Sequence, residues 1–389
     1  MTKKIRIIYS KNPDEIFNRK AALGSYIYVL GGLLQEHGYS VSINEHAYTA
    51  IKQHTSSGTN AAGNQSLIKR MIPSFVKRIV KDIFLFRRLD SLTKKLIGFQ
   101  DDLILEFYSY GSTVGYELAV KNNVPLIVIY DAPVIDEYKF FNGVTPFLMK
   151  KVNRNEKKTI LKATSTVVYS NAVKNYVWKK IGKQTPIRLH QNIDFTRFDF
   201  IDQPHSSSPV NIGFIGSFLK WHRVDLLLKV FTRLKSEHYN IKLYLLGMGE
   251  EFTTIKEACA NNTYKNDIVL PGFVDGEQLL NFKKNIHIGV MPGSNWYGAP
   301  NKIFEYGAAH MAVIAPDTPT ITDLFVNKKE VYLFENNSEN ALYQGLKELV
   351  SNAEFTTLLA ENLYQKIRAN YSKTNTFDFY NRLIKEAIQ

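Results

Sequence analysis

The chain has 389 residues, 44% hydrophobic and 22% charged, which suits a globular protein but is too long for one ordinary core. Its formal net charge of +13 calls for an anionic partner such as a phosphorylated substrate, a membrane surface or a nucleic acid. Cys259 is the only cysteine, so an intrachain disulfide is excluded and a reducing compartment is expected.

The first ten residues, MTKKIRIIYS, do not have the pattern of a secretion signal. Arg6 interrupts their apolar run, and no small-residue cleavage site follows. No window of the sequence approaches the ~20 apolar residues that a membrane-spanning helix needs. We therefore expect a cytoplasmic protein that does not span the membrane.

Short apolar runs rich in β-branched residues alternate with stretches of helical periodicity, such as 26–37 and 115–122. Alternation of this kind predicts parallel sheets covered by helices on both faces. The pattern starts afresh near residue 209, which predicts an α/β fold of two doubly wound, Rossmann-like domains facing each other across a cleft. The predicted strands lie at 5–9, 40–43, 103–108, 126–130, 166–170, 209–217, 241–247, 267–272, 287–293 and 311–316.

The polar stretch 200–210, rich in Pro and Ser, is the best candidate for a linker. It divides the chain into an N-terminal domain, 1–203, and a C-terminal domain, 209–370. A terminal helix over 371–389 follows, with packing against the N-terminal domain as one option. In open α/β sheets ligands bind beyond the carboxyl ends of the strands, so site residues are expected in the loops that follow strands.

A strongly basic segment occupies 67–98, where nine Lys and Arg residues stand against two Asp residues. Two interpretations remain open: a domain helix whose basic face is solvated, and a peripheral anchor drawn to anionic lipid. The apolar residues predicted to share one helical face are Ile72, Phe75, Val76, Ile79, Ile83 and Phe86, and the cations opposite are Lys77, Arg78, Lys81 and Arg88. A second basic cluster in the same half consists of Lys150, Lys151, Arg154, Lys157, Lys158 and Lys162.

The stretch YGAPNKIFEYGAA predicts a helix that begins at Pro300, with Ala299 as its N-cap. Ala299 has no side chain to cap the free N–H groups of Asn301 and Lys302. A cation at the positive end of the helix dipole is disfavoured unless an anion such as phosphate docks there. Glu305 follows one turn later and can accept hydrogen bonds from two hydroxyls, as on a ribose. A surface ion pair on an ordinary helix explains the same pattern equally well.

The C-terminal half resembles the retaining, nucleotide-sugar-dependent glycosyltransferases of glycosyltransferase family four, which have the GT-B architecture. The resemblance rests on an ordered set of motifs: GFIGSFLKWHRVDLLL (213–228), LYLLGMGEE (243–251), IVLPGFVDGEQLLNF (268–282) and YGAPNKIFEYGAA (297–309). The N-terminal half matches less specifically, through GGLLQEHGYSVSI (31–43), YDAPVIDE (130–137), TSTVVYSNAVKNYV (164–177) and LHQNIDFTRFD (189–199).

This resemblance implies transfer of a hexose or a derivative from a nucleoside diphosphate sugar to a hydroxyl of a glycan or glycolipid, with retention, in bacterial surface polysaccharide assembly. The nucleotide sugar is a co-substrate, and no cofactor is expected. Gly24 and Ser25 are the acceptor-side candidates. The donor-side candidates are Gly216, Lys220, Arg223, Gly247, Gly249, Phe273, Val274, Pro300, Asn301, Lys302 and Glu305, although the glycines also suit tight turns.

Two positions depart from the family pattern. Many members carry a pair of glutamates eight residues apart, but Tyr297 stands at the first position and only Glu305 remains. A subset of the family with the motif S-P-x-K-L-F-E-Y shares this change. Where the family has Lys-Gly after the first glycine loop, this chain has His222-Arg223, so the cation there is Lys220, His222 or Arg223.

Bond cleavage in a nucleoside diphosphate sugar releases a diphosphate whose charge must be stabilised. No two Asp residues lie two positions apart and no zinc-binding spacing occurs, so we expect a metal-independent reaction that uses Lys302, other cations and helix N-termini. Asp131 and Glu137 are candidates to position or deprotonate the acceptor hydroxyl. Asp131 as the cap of the next helix is the structural alternative. By resemblance, the departing phosphate oxygen takes the acceptor proton.

Rival functions are a nucleotide-sugar epimerase or hydrolase of the same fold and a non-catalytic basic binding protein. A nucleic-acid partner is not expected, because no recognition motif or aromatic-rich basic platform is found. We expect the protein in the cytoplasm, with peripheral association with the inner face of the cytoplasmic membrane as one option.

Overall fold

The computed structural model describes residues 2–11, 22–53, 74–202 and 208–389. The chain divides into two compact units. The first contains Met1–Asp194 and Lys373–Gln389, and the second contains Phe195–Ser372. Among the helices described, none combines the length and apolar character needed to cross a bilayer.

The first unit is built on a seven-stranded sheet with the order β3-β2-β1-β4-β5-β6-β7. All neighbouring strands are parallel except the antiparallel β2–β3 pair. The interior strand β1 pairs with strands on both sides, and Ile5 lies opposite Val41 and Leu103. The strands are Lys4–Tyr9 (β1), Ser40–Ile43 (β2), His46–Ala47 (β3), Leu103–Phe107 (β4), Leu126–Ile129 (β5), Ser165–Val168 (β6) and Ile187–Leu189 (β7).

Helices connect these strands. The C-terminal helix Lys373–Ile388 contributes Tyr380 and Ile384 to the same core as Ile7 of β1. The other helices of the unit are Ala22–Glu36 (α1), Tyr48–Gln53 (α2), Ser74–Leu96 (α3), Val114–Asn122 (α4), Val134–Asn142 (α5), Met149–Lys162 (α6) and Asn171–Ile181 (α7).

The second unit is built on a six-stranded parallel sheet with the order β10-β9-β8-β11-β12-β13. Its core contains the fully buried Ile212, Phe214 and Leu243, which are covered by the helices. The strands are Val210–Ile215 (β8), Ile241–Leu246 (β9), Ile268–Gly272 (β10), Ile288–Val290 (β11), Ala312–Pro316 (β12) and Tyr332–Phe334 (β13). The helices are Val224–Ser236 (α8), Phe252–Ala260 (α9), Gly276–Lys283 (α10), Asn301–Ala308 (α11), Pro319–Thr322 (α12), Glu339–Ser351 (α13) and Ala353–Asn370 (α14), and the helix Lys373–Ile388 of the first unit is α15.

The predicted α/β fold class with two parallel-sheet domains is confirmed. A strand is found in each stretch where one was predicted. The short strands β3, β7 and β13 were not predicted, because two or three residues are too few to show an alternating or apolar pattern.

The structure divides the chain after Asp194, whereas the predicted N-terminal domain extended to residue 203. Residues 195–202 lie against the second unit, which explains the difference. The Ile201 N–H donates to the Ala308 carbonyl at 3.2 Å, and Asp199 forms a 2.7 Å ion pair with Lys283. The polar linker character seen in the sequence therefore begins several residues after the structural boundary.

Helix α3 occupies most of the basic segment predicted over 67–98. Its buried face contains Asp82, Phe86, Leu89 and Leu92, whereas Ile83 is 43% exposed. Under the interpretation of α3 as a packed domain helix, Ile83 was expected on the buried face, and the structure does not place it there. Asp82 takes a place on that face because it accepts a hydrogen bond from the Tyr110 hydroxyl. Ile72 and the side chains of Phe75 and Lys77 lie outside the described residues.

Candidate functional site

The second unit has a change of chain direction at the centre of its sheet. From β8 the chain continues to β9 and β10 on one side, and it returns to β11, β12 and β13 on the other. Ligands in open parallel sheets bind at such a switch point, beyond the carboxyl ends of the strands. The loops that follow β8 and β11 border this position, which we call the β8–β11 crevice.

Glycines allow the loops after β8 and β9 to run side by side. The Gly216 N–H donates to the Leu246 carbonyl and the Phe218 N–H to the Met248 carbonyl, each at 2.9 Å. A Cβ on Gly247 would lie 2.0 Å from the Gly216 oxygen. Gly216 and Gly247 have φ angles of +149° and +135°, so both positions favour glycine for backbone conformation as well as space.

Lys302 crosses the loop at Gly216. A Cβ on Gly216 would lie 2.5 Å from Lys302 Cε, so the lysine side chain packs directly on this glycine. Lys302 belongs to the first turn of α11, which begins at Asn301. Pro300 has ψ of 44° and is the N-cap, one position later than the predicted cap Ala299, and no side chain caps this terminus. The helix N-terminus and the lysine ammonium thus lie at the β8–β11 crevice.

His222 holds the lysine ammonium. Lys302 Nζ lies 3.0 Å from His222 Nε2, and His222 Nδ1 lies 2.5 Å from the Ser217 carbonyl oxygen. A carbonyl only accepts, so Nδ1 carries the proton and Nε2 accepts from the ammonium. His222 is therefore a neutral acceptor in this arrangement and is not the cation that the sequence left as one of three alternatives.

Burial shifts the pKa values of both partners. Burial and, to a smaller extent, the Lys302 charge together lower the pKa of His222 to about 3, against the opposing hydrogen bond to Ser217. Burial also lowers the pKa of Lys302 to about 8, against the opposing attraction of Glu305. A lysine pKa this close to neutrality makes the charge of the crevice sensitive to pH and to a bound anion.

The remaining candidate cations have different positions. Arg223 forms a 3.0 Å ion pair from Nε to Asp225 and donates from Nη1 to Asn337 at 3.0 Å. Lys220 has an exposed side chain, and its backbone N–H donates to Glu250 Oε1 at 3.2 Å. Among Lys220, Arg223 and Lys302, it is the Lys302 side chain that lies on the Gly216 loop.

Glu305 lies one turn after Lys302 on α11 and is half-buried. Its Oε1 is 4.0 Å from Nη1 of Arg197, a contact that the sequence analysis did not predict. Tyr306, the next residue, accepts at its hydroxyl from the Ile215 N–H at 2.8 Å. This bond fixes the end of β8 against α11 and so positions both sides of the β8–β11 crevice.

The other donor-side candidates lie around the same edge of the sheet. The Gly247 N–H donates to the Gly272 carbonyl at 2.8 Å, which brings the end of β10 beside the β9 loop. Phe273 follows with its side chain 58% exposed, whereas Val274 is buried. A Cβ on Gly249 would lie 2.6 Å from Phe218 N, so this glycine serves close packing. Tyr297 is buried rather than open to solvent.

A separate polar cluster surrounds Asp131 in the first unit. Asn192 Nδ2 donates to Asp131 Oδ1 at 3.0 Å, and the Tyr380 hydroxyl donates to Asn192 Oδ1 at 2.9 Å. The Tyr26 hydroxyl lies 3.3 Å from the same Asn192 oxygen. The N-cap of α5 is Pro133 and has no side-chain cap, so the alternative role of Asp131 as a helix cap is not what the structure shows.

The Asp131 carboxyl has a perturbed pKa. Burial raises the pKa of Asp131 to about 6, while the Asn192 hydrogen bond and Lys11 oppose the rise and Glu137 adds to it. Glu137 itself forms a 3.1 Å ion pair with Lys11. Asp131 is thus the better placed of the two carboxylates for proton transfer near neutral pH.

Two serines at the switch point of the first sheet were not predicted. Ser10 follows β1 and Ser109 follows β4, and their hydroxyl oxygens are 2.5 Å apart. The chain changes direction between these two strands, so a search of every post-strand position by the crevice rule would have found both serines. The predicted acceptor-side residues Gly24 and Ser25 lie in the first turn of α1.

Comparison with known proteins identifies related sequences. Residues 196–369 match the family model "Glycosyl transferases group 1". An uncharacterized glycosyltransferase of Methanocaldococcus jannaschii, MJ1069, is 22% identical over 65% of each chain, so the match spans about two thirds of that relative's length. The capsular polysaccharide biosynthesis glycosyltransferase CapM of Staphylococcus aureus is 21% identical over 79% of this chain and 84% of its own.

Solved structures share the fold. HepE of Anabaena in complex with UDP superposes with a TM-score of 0.69 and 12% identity, covering 99% of this chain and 100% of its own. Sucrose-phosphate synthase of Thermosynechococcus elongatus gives a TM-score of 0.70 and 16% identity over the same shares. The predicted GT-B architecture is thereby confirmed, and the family match over residues 196–369 supports a transferase.

Proposed function

We propose that this protein is a retaining glycosyltransferase of family four that moves a hexose or a derivative from a nucleoside diphosphate sugar to a hydroxyl of a glycan or glycolipid. The reaction serves the assembly of a bacterial surface polysaccharide. CapM, a relative over 79% of the chain, is named for capsular polysaccharide biosynthesis, and HepE has been solved with UDP and with UDP-glucose. The names of these proteins support a nucleoside diphosphate sugar as the donor and polysaccharide assembly as the pathway.

The observation that carries the proposal is Lys302 on the Gly216 loop. Its ammonium lies at an uncapped helix N-terminus, beside a loop whose backbone conformation at Gly216 favours glycine. A diphosphate fits such a position, since backbone N–H groups and a fixed cation both stabilise its negative charge. We propose that this charge, in place of a metal ion, stabilises the leaving diphosphate. Glu305 accepts from the ribose hydroxyls, and the loop with the exposed Phe273 and the buried Val274 is on the nucleobase side.

Asp131 is proposed to hold the acceptor hydroxyl. Its pKa of about 6 allows the carboxylate form at neutral pH while keeping appreciable basicity. In a retaining reaction without a covalent intermediate, the departing phosphate oxygen takes the acceptor proton. Asp131 then orients the hydroxyl, and Glu137 tunes its charge.

The acceptor is proposed to be lipid-linked, with the enzyme at the inner face of the cytoplasmic membrane. Helix α3 supports this location, because Val80, Ile83 and Phe84 are exposed next to the exposed cations Lys81 and Arg87. Apolar and basic side chains exposed together are typical of helices that lie in the membrane interface.

Thermal stabilisation by a panel of nucleotide sugars tests the donor class, because a ligand that binds the native state raises its apparent stability. We expect a uridine or other nucleoside diphosphate sugar to raise Tm, and Lys302→Ala to abolish the rise. Release of nucleoside diphosphate only when an acceptor is added supports transfer, whereas release without acceptor supports the rival hydrolase. Turnover that stops with a chelator and returns with magnesium contradicts the metal-independent reaction.

A further inference from the structure

The end of α5 and its connection to α6 expose large aromatic side chains. Phe147 is 67% exposed and Phe141 is 52% exposed, while Pro146 between them is buried. Scattered apolar residues are ordinary on a protein surface, but large apolar side chains exposed close together in the sequence are typical of an interaction surface.

Helix α6 adds a row of cations directly after Phe147. Lys150, Arg154 and Lys157 are spaced at i, i+4 and i+7 and are all exposed, so they share one face of the helix. The only acid between residues 138 and 162 is Glu156. It is fully buried and bonded to Tyr130 and Lys180, so it does not offset the positive charge of the surface.

Apolar and basic groups of this segment also line one concavity. Its volume is about 660 Å³, and it is bordered by residues 146–149 together with Lys150, Lys151 and Arg154. Four apolar residues and three cations thus share this lining, and these two kinds of side chain suit the two parts of an anionic phospholipid, its acyl region and its phosphate.

We propose that this α5–α6 surface, defined by Phe147, Lys150, Lys151, Arg154 and Lys157, docks the protein on an anionic lipid bilayer. The inference rests on the membrane-side role in the proposed function and adds a second surface to that of α3, which α6 contacts where Lys151 Nζ lies 3.9 Å from the centre of the Phe86 ring. The cations approach the anionic headgroups, where each contributes attraction that falls off within a Debye length. Phe147 enters the interface, where aromatic rings are favoured.

A bilayer fits these residues better than a nucleic acid does. Single-stranded nucleic acid needs aromatic faces on which bases stack, and apart from Phe147 the apolar residues at 146–149 are Pro, Leu and Met. This difference makes Phe147→Leu a decisive variant. Leucine keeps apolar partitioning into a bilayer but has no ring for stacking.

The experiment is co-sedimentation of the full chain with vesicles of phosphatidylcholine alone or mixed with phosphatidylglycerol. We expect binding that requires phosphatidylglycerol, weakens with salt, and falls roughly a hundredfold in the triple variant Lys150→Gln/Arg154→Gln/Lys157→Gln. Phe147→Ser is expected to lower binding by about tenfold, and Phe147→Leu to retain it.

Matched controls lie in the second unit. Lys229→Gln/Lys256→Gln/Lys265→Gln removes the same charge from exposed positions, and Leu358→Ser removes an apolar side chain that is 55% exposed. Both controls should bind vesicles like the parent protein. Equal losses in the control and test variants would overturn the surface, as would binding indifferent to phosphatidylglycerol. Stronger binding to single-stranded RNA than to vesicles, lost in Phe147→Leu, would overturn it in favour of a nucleic acid.

Thermal stabilisation by nucleotide sugars is measured on the same variants. Loss of vesicle binding with donor stabilisation intact is the expected result for the α5–α6 variants. If no nucleotide sugar stabilises the protein while vesicle docking behaves as described, the proposed function fails and the docking surface stands. If donors stabilise the protein and vesicles do not bind, the docking surface and the proposed membrane location fail, and the proposed use of a nucleotide-sugar donor stands.

Discussion

Lys302 and His222, 80 positions apart in the chain, share a hydrogen bond of 3.0 Å between Nζ and Nε2. The proton on Nδ1 is held by the Ser217 carbonyl, so the ring presents an acceptor to the ammonium. The loop after β8 therefore sets the position of a cation that α11 provides. Donor binding and its pH dependence should both follow from this pair.

Removal of either charged group of α11 should impair the use of the donor. We expect Lys302→Ala and Glu305→Ala each to lower kcat/KM for the nucleotide sugar by about tenfold or more, because each loses a charge-assisted hydrogen bond. Steady-state kinetics with varied donor measures the effect. Lys229→Ala, which removes an exposed cation from α8, is the matched control and should leave kcat/KM unchanged. Parent-like turnover in both test variants would remove these residues from the donor site.

The pH dependence of donor binding should follow the Lys302 ammonium. Its pKa is lowered to about 8, and only the charged form attracts diphosphate. We therefore expect kcat/KM for the donor to fall about tenfold per pH unit above pH 8. In Lys302→Arg the guanidinium stays charged across this range, so the alkaline fall should vanish even if overall activity is lower. A fall of the same position and slope in Lys302→Arg would assign it to another group.

His222 should act on the donor through Lys302. We expect His222→Ala to weaken nucleoside diphosphate binding and to move the alkaline fall to lower pH, because loss of the acceptor disfavours the charged lysine. His222→Gln should restore part of both effects, since its amide can donate to Ser217 and accept from Lys302. Calorimetric titration with the nucleotide, alongside the ligand-free Tm, separates this role from folding. Equal binding defects in the Ala and Gln variants would show a merely structural role.

Much of the fold follows from the sequence because strand patterns are local. The run IRIIY is apolar and β-branched, and it lies in β1 between two partners. The face of α3 was harder to predict, because burial of Asp82 depends on Tyr110 from a later loop. Helical periodicity places Ile83 in the packed face, but it cannot show that a carboxylate with a tertiary partner takes that place.

The sequence predicted which residues belong to the candidate site, but it did not predict which of them contact one another. Gly216 and Lys302 both follow predicted strands, so the crevice rule brings them to one edge of the sheet. The sequence could not show that His222 is buried and neutral, because its burial depends on Lys302 and Phe214, which approach it only in the folded unit. The Asn192 contact of Asp131 was hidden for the same reason, at 61 positions of separation.

Asp131 should determine how kcat/KM for the acceptor depends on pH in the acidic range. Its pKa is raised to about 6, so kcat/KM for the acceptor should rise with pH through about 6 and then level off. The Asn192 hydrogen bond stabilises the carboxylate, so Asn192→Ala should move this rise to higher pH. Tyr380→Phe removes a hydroxyl bonded to the other side of Asn192 and is the control for general disturbance of the cluster. An unchanged acid limb in Asp131→Asn would exclude Asp131 as its origin.

Glu106 should make the first unit less stable at alkaline pH. It is fully buried on β4 with Ser112 donating to Oε1 at 2.5 Å, and burial raises its pKa from 4.5 to about 7. The folded state therefore favours the protonated acid, and this stability is present below pH 4.5 and lost as pH rises through 7. The shift corresponds to about 3 kcal/mol.

We expect Glu106→Gln, which stays neutral, to raise Tm at pH 8 by several degrees and to have little effect at pH 4. Asp102→Asn is the control of opposite sign: the Lys4 N–H lowers the pKa of Asp102, so that variant should lose stability at pH 8.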